Sequence, residues 1–125
     1  MKPGKRGIAR IIAATGYSWQ GLKSCYRSEA AFRQELWLCA VLLAGSFWVA
    51  QTLLEWILLI APLFLLLIVE LLNSAVEAVV DRIGGEHHEL SGRAKDMGSA
   101  AVLLCLVLTA LTWMPLVAQR LEVLP

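Results

Sequence analysis

The stretch Glu70-Leu-Leu-Asn73-Ser74-Ala-Val-Glu77-Ala-Val-Val-Asp81-Arg82, followed by Gly-Gly-Glu86-His87-His88-Glu-Leu-Ser-Gly-Arg93-Ala-Lys95-Asp96, decides the fold. Its first part ends a long apolar run, where a carboxylate at the centre of a membrane helix costs about 3 kcal/mol. Glu70 and Glu77 therefore indicate a functional site. The second part is rich in charge, histidine and small residues, and it leads into another apolar run.

The composition around this stretch is that of a membrane protein. Hydrophobic residues make up 58% of the 125 residues and charged residues only 17%, whereas soluble domains are about a quarter charged. Three cysteines without C-x-x-C spacing support neither a disulfide framework nor a cysteine metal site. The composition thus favours one integral-membrane domain over residues 1–125.

Hydrophobic periodicity predicts an all-α fold with a surface helix and three membrane helices. Residues 5–28 are amphipathic and basic, as expected for a helix on an anionic membrane surface. The spans are predicted at 29–50, 53–81 and 94–118, with a loop at 82–93 and Ser91 as the N-cap of the last helix. The first span has only fifteen uncharged residues, 36–50, so its first turns must lie at the interface or against protein.

The distribution of Lys and Arg predicts the topology. Seven lie in the first 33 residues, none lies in the turn at 51–55, three lie between Asp81 and Met97, and one is near the C-terminus. The positive-inside rule places the N-terminus and the 82–93 loop in the cytoplasm and the C-terminus outside. The charged loop therefore faces the compartment that contains ATP.

The polar residues of the second span lie on one stripe of a helix. With a rise of 1.5 Å per residue, Glu70 and Glu77 are about 10 Å apart along the axis, too far to bind one ion together. Glu77 is near enough to the cytoplasmic edge to bind Mg²⁺, and Glu29 is the best-placed second ligand. If the substrate is a lipid, Glu70 lies at the depth where the polar head would present a hydroxyl, and it could serve there as general base.

Other interpretations of these residues remain open from the sequence. The acids can form structural pairs with Arg33, Arg82 or Lys95, and Glu29 and Arg33 have the spacing of an ion pair on one helix face. A proton or ion pathway is a second possibility. Adjacent His87 and His88 are a poor zinc site, and the absence of a Walker A motif and of G-x-G-x-x-G excludes a P-loop site.

The quoted stretch resembles the bacterial diacylglycerol kinases, a family of small integral-membrane lipid kinases. The residues that carry the likeness are Glu70 to Gly84 and His88-Glu-Leu-Ser-Gly-Arg-Ala-Lys-Asp-Met-Gly-Ser-Ala100. Further matching segments are Gly16-Tyr-Ser-Trp-Gln-Gly-Leu22, Glu29-Ala-Ala-Phe-Arg-Gln-Glu35 and Thr112-Trp113. The likeness thus covers nearly the whole chain.

The resemblance implies a homotrimer in the bacterial inner membrane, with active sites shared between subunits and no nucleic-acid partner. It implies transfer of the γ-phosphoryl group of Mg-ATP to the hydroxyl of diacylglycerol, giving phosphatidate, in phospholipid recycling. Glu70 takes the position of the general base, supported by Asn73, and Glu29 and Glu77 take the metal positions. Lys95 neutralises phosphate charge.

The resemblance also assigns two larger sets of residues. The ATP-binding positions are Arg10, Tyr17, Glu29, Glu77, Glu86, His87, His88, Lys95 and Asp96. The lipid positions are Ala14, Thr15, Gly16, Tyr17, Ser18, Trp19, Lys23, Ser24, Cys25, Tyr26, Ala31, Phe32, Arg33, Gln34, Glu35, Trp48, Val49, Ala50, Gln51, Trp56, Glu70, Ser99, Trp113, Met114, Pro115, Leu116, Val117 and Ala118.

Two positions depart from the pattern of the family. Leu36 stands where the pattern has glycine, and His87 stands where it has tyrosine. We expect the first to affect lipid packing and the second to affect how the nucleotide base is held. Undecaprenol kinase is the alternative with the same chemistry, and a small proton- or ion-conducting membrane protein is the alternative of a different class.

Overall fold

The chain folds into α-helices joined by short connections. The computed structural model describes residues 6–85 and 88–125. Within these ranges it has four helices, α1 (Gly7–Ser28), α2 (Ala30–Val49), α3 (Leu53–Ile83) and α4 (Glu89–Arg120), and no strand. The predicted all-α class is confirmed.

Two helices of the described ranges, α3 and α4, are long and apolar enough to cross a membrane. Only 28% of the apolar window of α3 and 17% of that of α4 are buried, whereas the core helix of a soluble protein would be mostly buried. Helix α2 does not pass the same test, because Arg33, Gln34 and Glu35 occupy its first two turns. The prediction of three membrane helices is thus confirmed for two of them.

The interior is formed where α3 packs lengthwise on α4 and α2 covers one side of this pair. Its buried apolar residues are Cys39, Val49, Leu59, Leu63, Leu66, Cys105 and Trp113. Lipid is as apolar as leucine, so close van der Waals packing, rather than exclusion of water, holds such helices together. Helix α1 packs on α2 and α3 but makes no contact with α4 among the described residues.

Polar side chains join the helices at the end of the bundle where α2 turns into α3. Thr52 caps α3, accepting a hydrogen bond from the backbone N–H of Glu55 at 3.1 Å. The Trp56 indole donates to Ser46 Oγ at 3.1 Å. Arg120 of α4 donates to the Trp48 carbonyl at 2.9 Å and lies 4.8 Å from the centre of the Trp48 ring. The three helix ends are therefore tied together at this end.

The connection between α1 and α2 is a single residue, Glu29. Arg33 Nη1 donates to the carbonyls of Tyr26 at 2.7 Å and Arg27 at 3.2 Å, which satisfies acceptors that the end of α1 leaves free. The ion pair that the spacing of Glu29 and Arg33 allows is not formed among the described residues, because the guanidinium binds these carbonyls.

The loop between α3 and α4 is shorter than the predicted 82–93. Helix α3 continues to Ile83, and α4 begins at Glu89 with His88 as its N-cap. His88 Nδ1 accepts a hydrogen bond from the backbone N–H of Leu90 at 3.1 Å. The predicted cap, Ser91, lies inside α4 because the imidazole starts the helix earlier.

Trp113 links α4 to α3 beside a proline. Helix α3 runs unbroken through Pro62, which has no N–H to donate. One turn earlier, the carbonyl of Leu59 accepts a hydrogen bond from the Trp113 indole at 2.9 Å. The indole therefore adds a polar link between two helices inside an apolar core.

We expect Trp113→Phe to lower the free energy of unfolding by about 2 kcal/mol, since the phenyl ring cannot donate to the Leu59 carbonyl and fills less of the buried space than the indole. The measurement is unfolding in mixed micelles titrated with sodium dodecyl sulfate. Trp37→Phe is the control because the Trp37 side chain is 65% exposed. An equal loss in both variants would contradict the assignment.

Candidate functional site

The centre of the candidate site is a buried carboxylate on α3. Glu70 is only 4% exposed, and the charges of Glu77 and Glu29 act on it electrostatically. Glu35 of α2 interacts with Glu70 in the same way. Acidic side chains from the α1–α2 connection, from α2 and from α3 therefore share one region of the bundle.

Asn73 lies beside Glu70, one turn further along α3, and its position depends on α4. Its side chain lies close enough to the Glu70 carboxyl to interact with it, while its Oδ1 is buried without a hydrogen-bond partner. Gly98 of α4 packs against this amide, and a Cβ at position 98 would overlap Asn73 Oδ1. A glycine at 98 thus permits the close approach of α4 that fixes the amide.

A groove of about 270 Å³ between α1 and α3 lies next to Glu29. Small residues of both helices form most of its wall, and Cys25 Sγ approaches Ser74 Oγ at 3.5 Å. Burial raises the pKa of the Cys25 thiol above its ordinary value. The protonated thiol is therefore a packing group and a weak donor to Ser74, rather than a nucleophile.

The described residues contain no group of three or more His, Cys, Asp and Glu side chains arranged to hold a metal ion. Glu29 and Glu77 are both half-buried, and both act on Glu70. Carboxylates are hard oxygen donors, and Mg²⁺ is usually bound by one or two of them together with substrate oxygens and water. The two carboxylates are thus of the ligand type that Mg²⁺ prefers.

The ends of α3 and α4 nearest this region carry a charged cluster. Lys95 Nζ lies 2.8 Å from Asp81 Oδ1, which is the one ion pair found in residues 6–85 and 88–125. Asp96 is exposed beside it, and His88 caps α4. Glu86 and His87, also predicted at the nucleotide site, lie outside the described residues.

The predicted nucleotide residues are divided between elements that do not touch. Arg10 and Tyr17 are exposed on α1, whereas Lys95 and Asp96 lie on α4. Helices α1 and α4 make no contact in the part of the chain that the structure describes. Direct packing of α1 on α4 therefore does not bring this set together.

The predicted lipid residues likewise fall into two groups. Trp19, Lys23, Tyr26 and Phe32 line a cavity of about 390 Å³, together with Leu36. Trp48, Trp56 and Trp113 instead lie near the far ends of their helices, among the bonds that tie those ends together. The cavity combines an apolar wall with the cations of Lys23 and Arg27 at the level of α1.

Sequence reasoning missed two structural partners of the site. Gly98 packs on Asn73, and the only sequence signal is the run of small residues Gly98-Ser-Ala-Ala, which is typical of closely packed membrane helices. Asp81 belongs to the quoted stretch and has no role assigned from the sequence, yet it is the ion-pair partner of Lys95.

Comparison with known proteins places these features in one family. The family model described as prokaryotic diacylglycerol kinase matches residues 16–117. The diacylglycerol kinase of Escherichia coli is 57% identical over 109 residues, which cover 86% of this chain and 88% of that protein. Those of Haemophilus influenzae and Pseudomonas aeruginosa are each 50% identical, covering 86% and 88% of this chain and 91% and 89% of their own lengths.

We expect Gly98→Ala to lower the free energy of unfolding by about 2 kcal/mol, because the added methyl overlaps the Asn73 amide. Gly92→Ala is the matched control on the same helix: a Cβ there meets nothing within 4 Å, so the change should stabilise by about 0.5 kcal/mol. Combining Gly98→Ala with Asn73→Ala should cost less than the sum of the single changes. Additive losses would show that the overlap is not the cause.

Proposed function

The chain belongs to the prokaryotic diacylglycerol kinase family, and we propose that it transfers the γ-phosphoryl group of ATP to the free hydroxyl of diacylglycerol, giving phosphatidate. The enzyme class follows from the family, since proteins 50–57% identical to this chain carry that name. The observation that carries the chemistry is a carboxylate, Glu70, buried beside an orienting amide and close to two further acids.

Glu70 is proposed as the general base. Phosphoryl transfer needs alignment, charge neutralisation and removal of the hydroxyl proton. The Glu70 carboxylate accepts that proton as the lipid oxygen bonds to the γ-phosphorus and the bond from this phosphorus to the β–γ bridging oxygen breaks. Asn73 holds the carboxylate in place, and Gly98 holds Asn73 through packing. ADP leaves with the bridging oxygen.

Glu29 and Glu77 are proposed to hold Mg²⁺, and a kinase that uses ATP implies such a divalent ion. When bound, the metal neutralises charge on the phosphate oxygens. Both carboxylates act on Glu70 electrostatically, so a metal held by them would bind near the proposed base. Their different locations, one in the α1–α2 connection and one on α3, make the metal position depend on how α1 sits against α3.

The remaining contacts are proposed with the phosphates and with the nucleoside of ATP. Lys95 neutralises phosphate charge, and His88 and Asp96, with Glu86 and His87, lie near the nucleoside. Arg10 and Tyr17 complete the set from α1. Since α1 makes no contact with α4 among the described residues, these residues would come from a neighbouring subunit, which supports a homotrimer with shared active sites.

The lipid is proposed to enter at the cavity lined by Trp19, Lys23, Tyr26 and Phe32, so that its head reaches Glu70. The family and the two apolar helices indicate a bacterial membrane protein. We further propose that it lies in the inner membrane, with α2 as a third span and the N-terminus in the cytoplasm. The exposed side chains of Phe47, Trp48 and Met114 would then face lipid near the outer surface.

The proposal is tested by incubating the purified protein in mixed micelles with γ-³²P-labelled ATP, Mg²⁺ and diacylglycerol. We expect labelled phosphatidate. Undecaprenol presented in the same micelles separates the related lipid-kinase activity. A proton flux in liposomes without phosphatidate would contradict the assignment as a kinase.

We expect Glu70→Gln to lower kcat by at least about a hundredfold, the usual contribution of a general base, with little change in the KM for ATP. Glu55→Gln, on the same helix at its other end, is the control. Circular dichroism and size-exclusion chromatography check that both variants are folded. Near-normal turnover of folded Glu70→Gln would remove Glu70 from this role.

We expect Glu29→Gln and Glu77→Gln to raise the Mg²⁺ concentration needed for half-maximal activity, because each removes one anionic ligand. The titration is carried out at fixed ATP, with Glu89→Gln as a control acid outside the proposed site. An unchanged Mg²⁺ dependence in both variants would count against the metal assignment.

A further inference from the structure

The ion pair between Lys95 and Asp81 joins α4 to the last turns of α3. Its N–O distance is 2.8 Å, and Asp81 accepts a hydrogen bond from the Lys95 ammonium. The side chains are 45% and 67% exposed. Pairs with this exposure contribute about 0–1 kcal/mol to folding, so stability alone is a weak reason for the contact.

Two acidic residues of α3 lie near enough to Lys95 to interact with its ammonium group. Asp81 and Glu77 are four residues apart and therefore lie on the same helix face. The ammonium bonds to Asp81, whereas Glu77 acts on it only electrostatically. In the described residues the Glu77 carboxylate forms no ion pair. Asp81 thus holds the cation one turn away from the acid that lies nearer Glu70.

We propose that Asp81 is a positioning residue: it anchors the Lys95 ammonium at the phosphate side of the site and keeps it from neutralising Glu77. This inference rests on the proposed function, in which Glu77 binds the metal and Lys95 the phosphates. A lysine paired with Glu77 would occupy the carboxylate oxygens that the metal needs. It would also withdraw its charge from the γ-phosphate.

The loss of Asp81 should therefore have two effects with one cause. Glu77 becomes the nearest acid to the Lys95 ammonium, so the metal competes with a cation for its ligand. At the same time Lys95 no longer has a fixed place beside the phosphates, and misplacement of a catalytic group by about 1 Å can cost a hundredfold in rate. A merely structural salt bridge would produce neither effect.

The test compares Asp81→Asn, Asp81→Glu and Glu89→Gln. Asn keeps the size of the side chain but removes the charge, Glu keeps the charge on a chain one methylene longer, and Glu89 is an exposed acid in the first turn of α4. For each protein, kcat, the KM for ATP and the Mg²⁺ dependence are measured. Binding of Mn²⁺ in the presence of ADP is followed separately by electron paramagnetic resonance, without turnover.

For Asp81→Asn we expect kcat to fall about tenfold and the Mg²⁺ requirement and the Mn²⁺ dissociation constant each to rise about threefold to tenfold. Excess Mg²⁺ should restore part of the activity. Asp81→Glu and Glu89→Gln should behave as the parent protein in all three measurements. A second expected result is that the thermal midpoint of Asp81→Asn stays close to that of the parent.

The inference is overturned if Asp81→Asn has parental Mg²⁺ and Mn²⁺ dependence, or if Asp81→Glu is as impaired as Asp81→Asn. It is also overturned if the loss of activity follows a loss of folded protein. Failure of the proposed function looks different: the unchanged protein then forms no phosphatidate at any Mg²⁺ concentration, whereas Mn²⁺ binding still reports whether Asp81 keeps Glu77 open.

Discussion

The rest of the structure depends on one constraint, a carboxylate kept deep in an apolar helix. Glu70 cannot face lipid, so the protein must surround it. Asn73 lies beside it on the same helix, and α4 closes over that amide at a glycine. The lengthwise packing of α3 on α4 is thus also the wall of the site, and fold and chemistry are determined by the same contact.

The sequence was a good guide to the helices because hydrophobic periodicity and helix length carry that information. It was a weaker guide where a side chain had several partners within reach. The spacing allowed Arg33 to pair with Glu29 four residues away, yet Arg33 binds the carbonyls at the end of α1. The spacing of charged residues does not show which backbone carbonyls a helix end leaves free. The sequence pattern likewise did not show that His88 would start α4 before Ser91.

The candidate site was only partly predictable for a related reason. Helix rise separated Glu70 from Glu77 along α3, and the resemblance assigned their roles, which stay predictions until they are tested. Neither gives the packing partner of Asn73, since Gly98 acts through the absence of a side chain. Helix rise and the resemblance also do not show whether Asp81 or Glu77 pairs with Lys95. That pairing depends on the distance and angle at which α3 and α4 meet.

The single-residue connection between α1 and α2 has a mechanical consequence. Glu29 alone connects the two helices, and Arg33 in the first turn of α2 donates a hydrogen bond to the last turns of α1. A tilt of α1 therefore rotates the backbone that carries the Glu29 carboxylate. The orientation of α1 thus becomes part of what determines the geometry of the acidic region around Glu70.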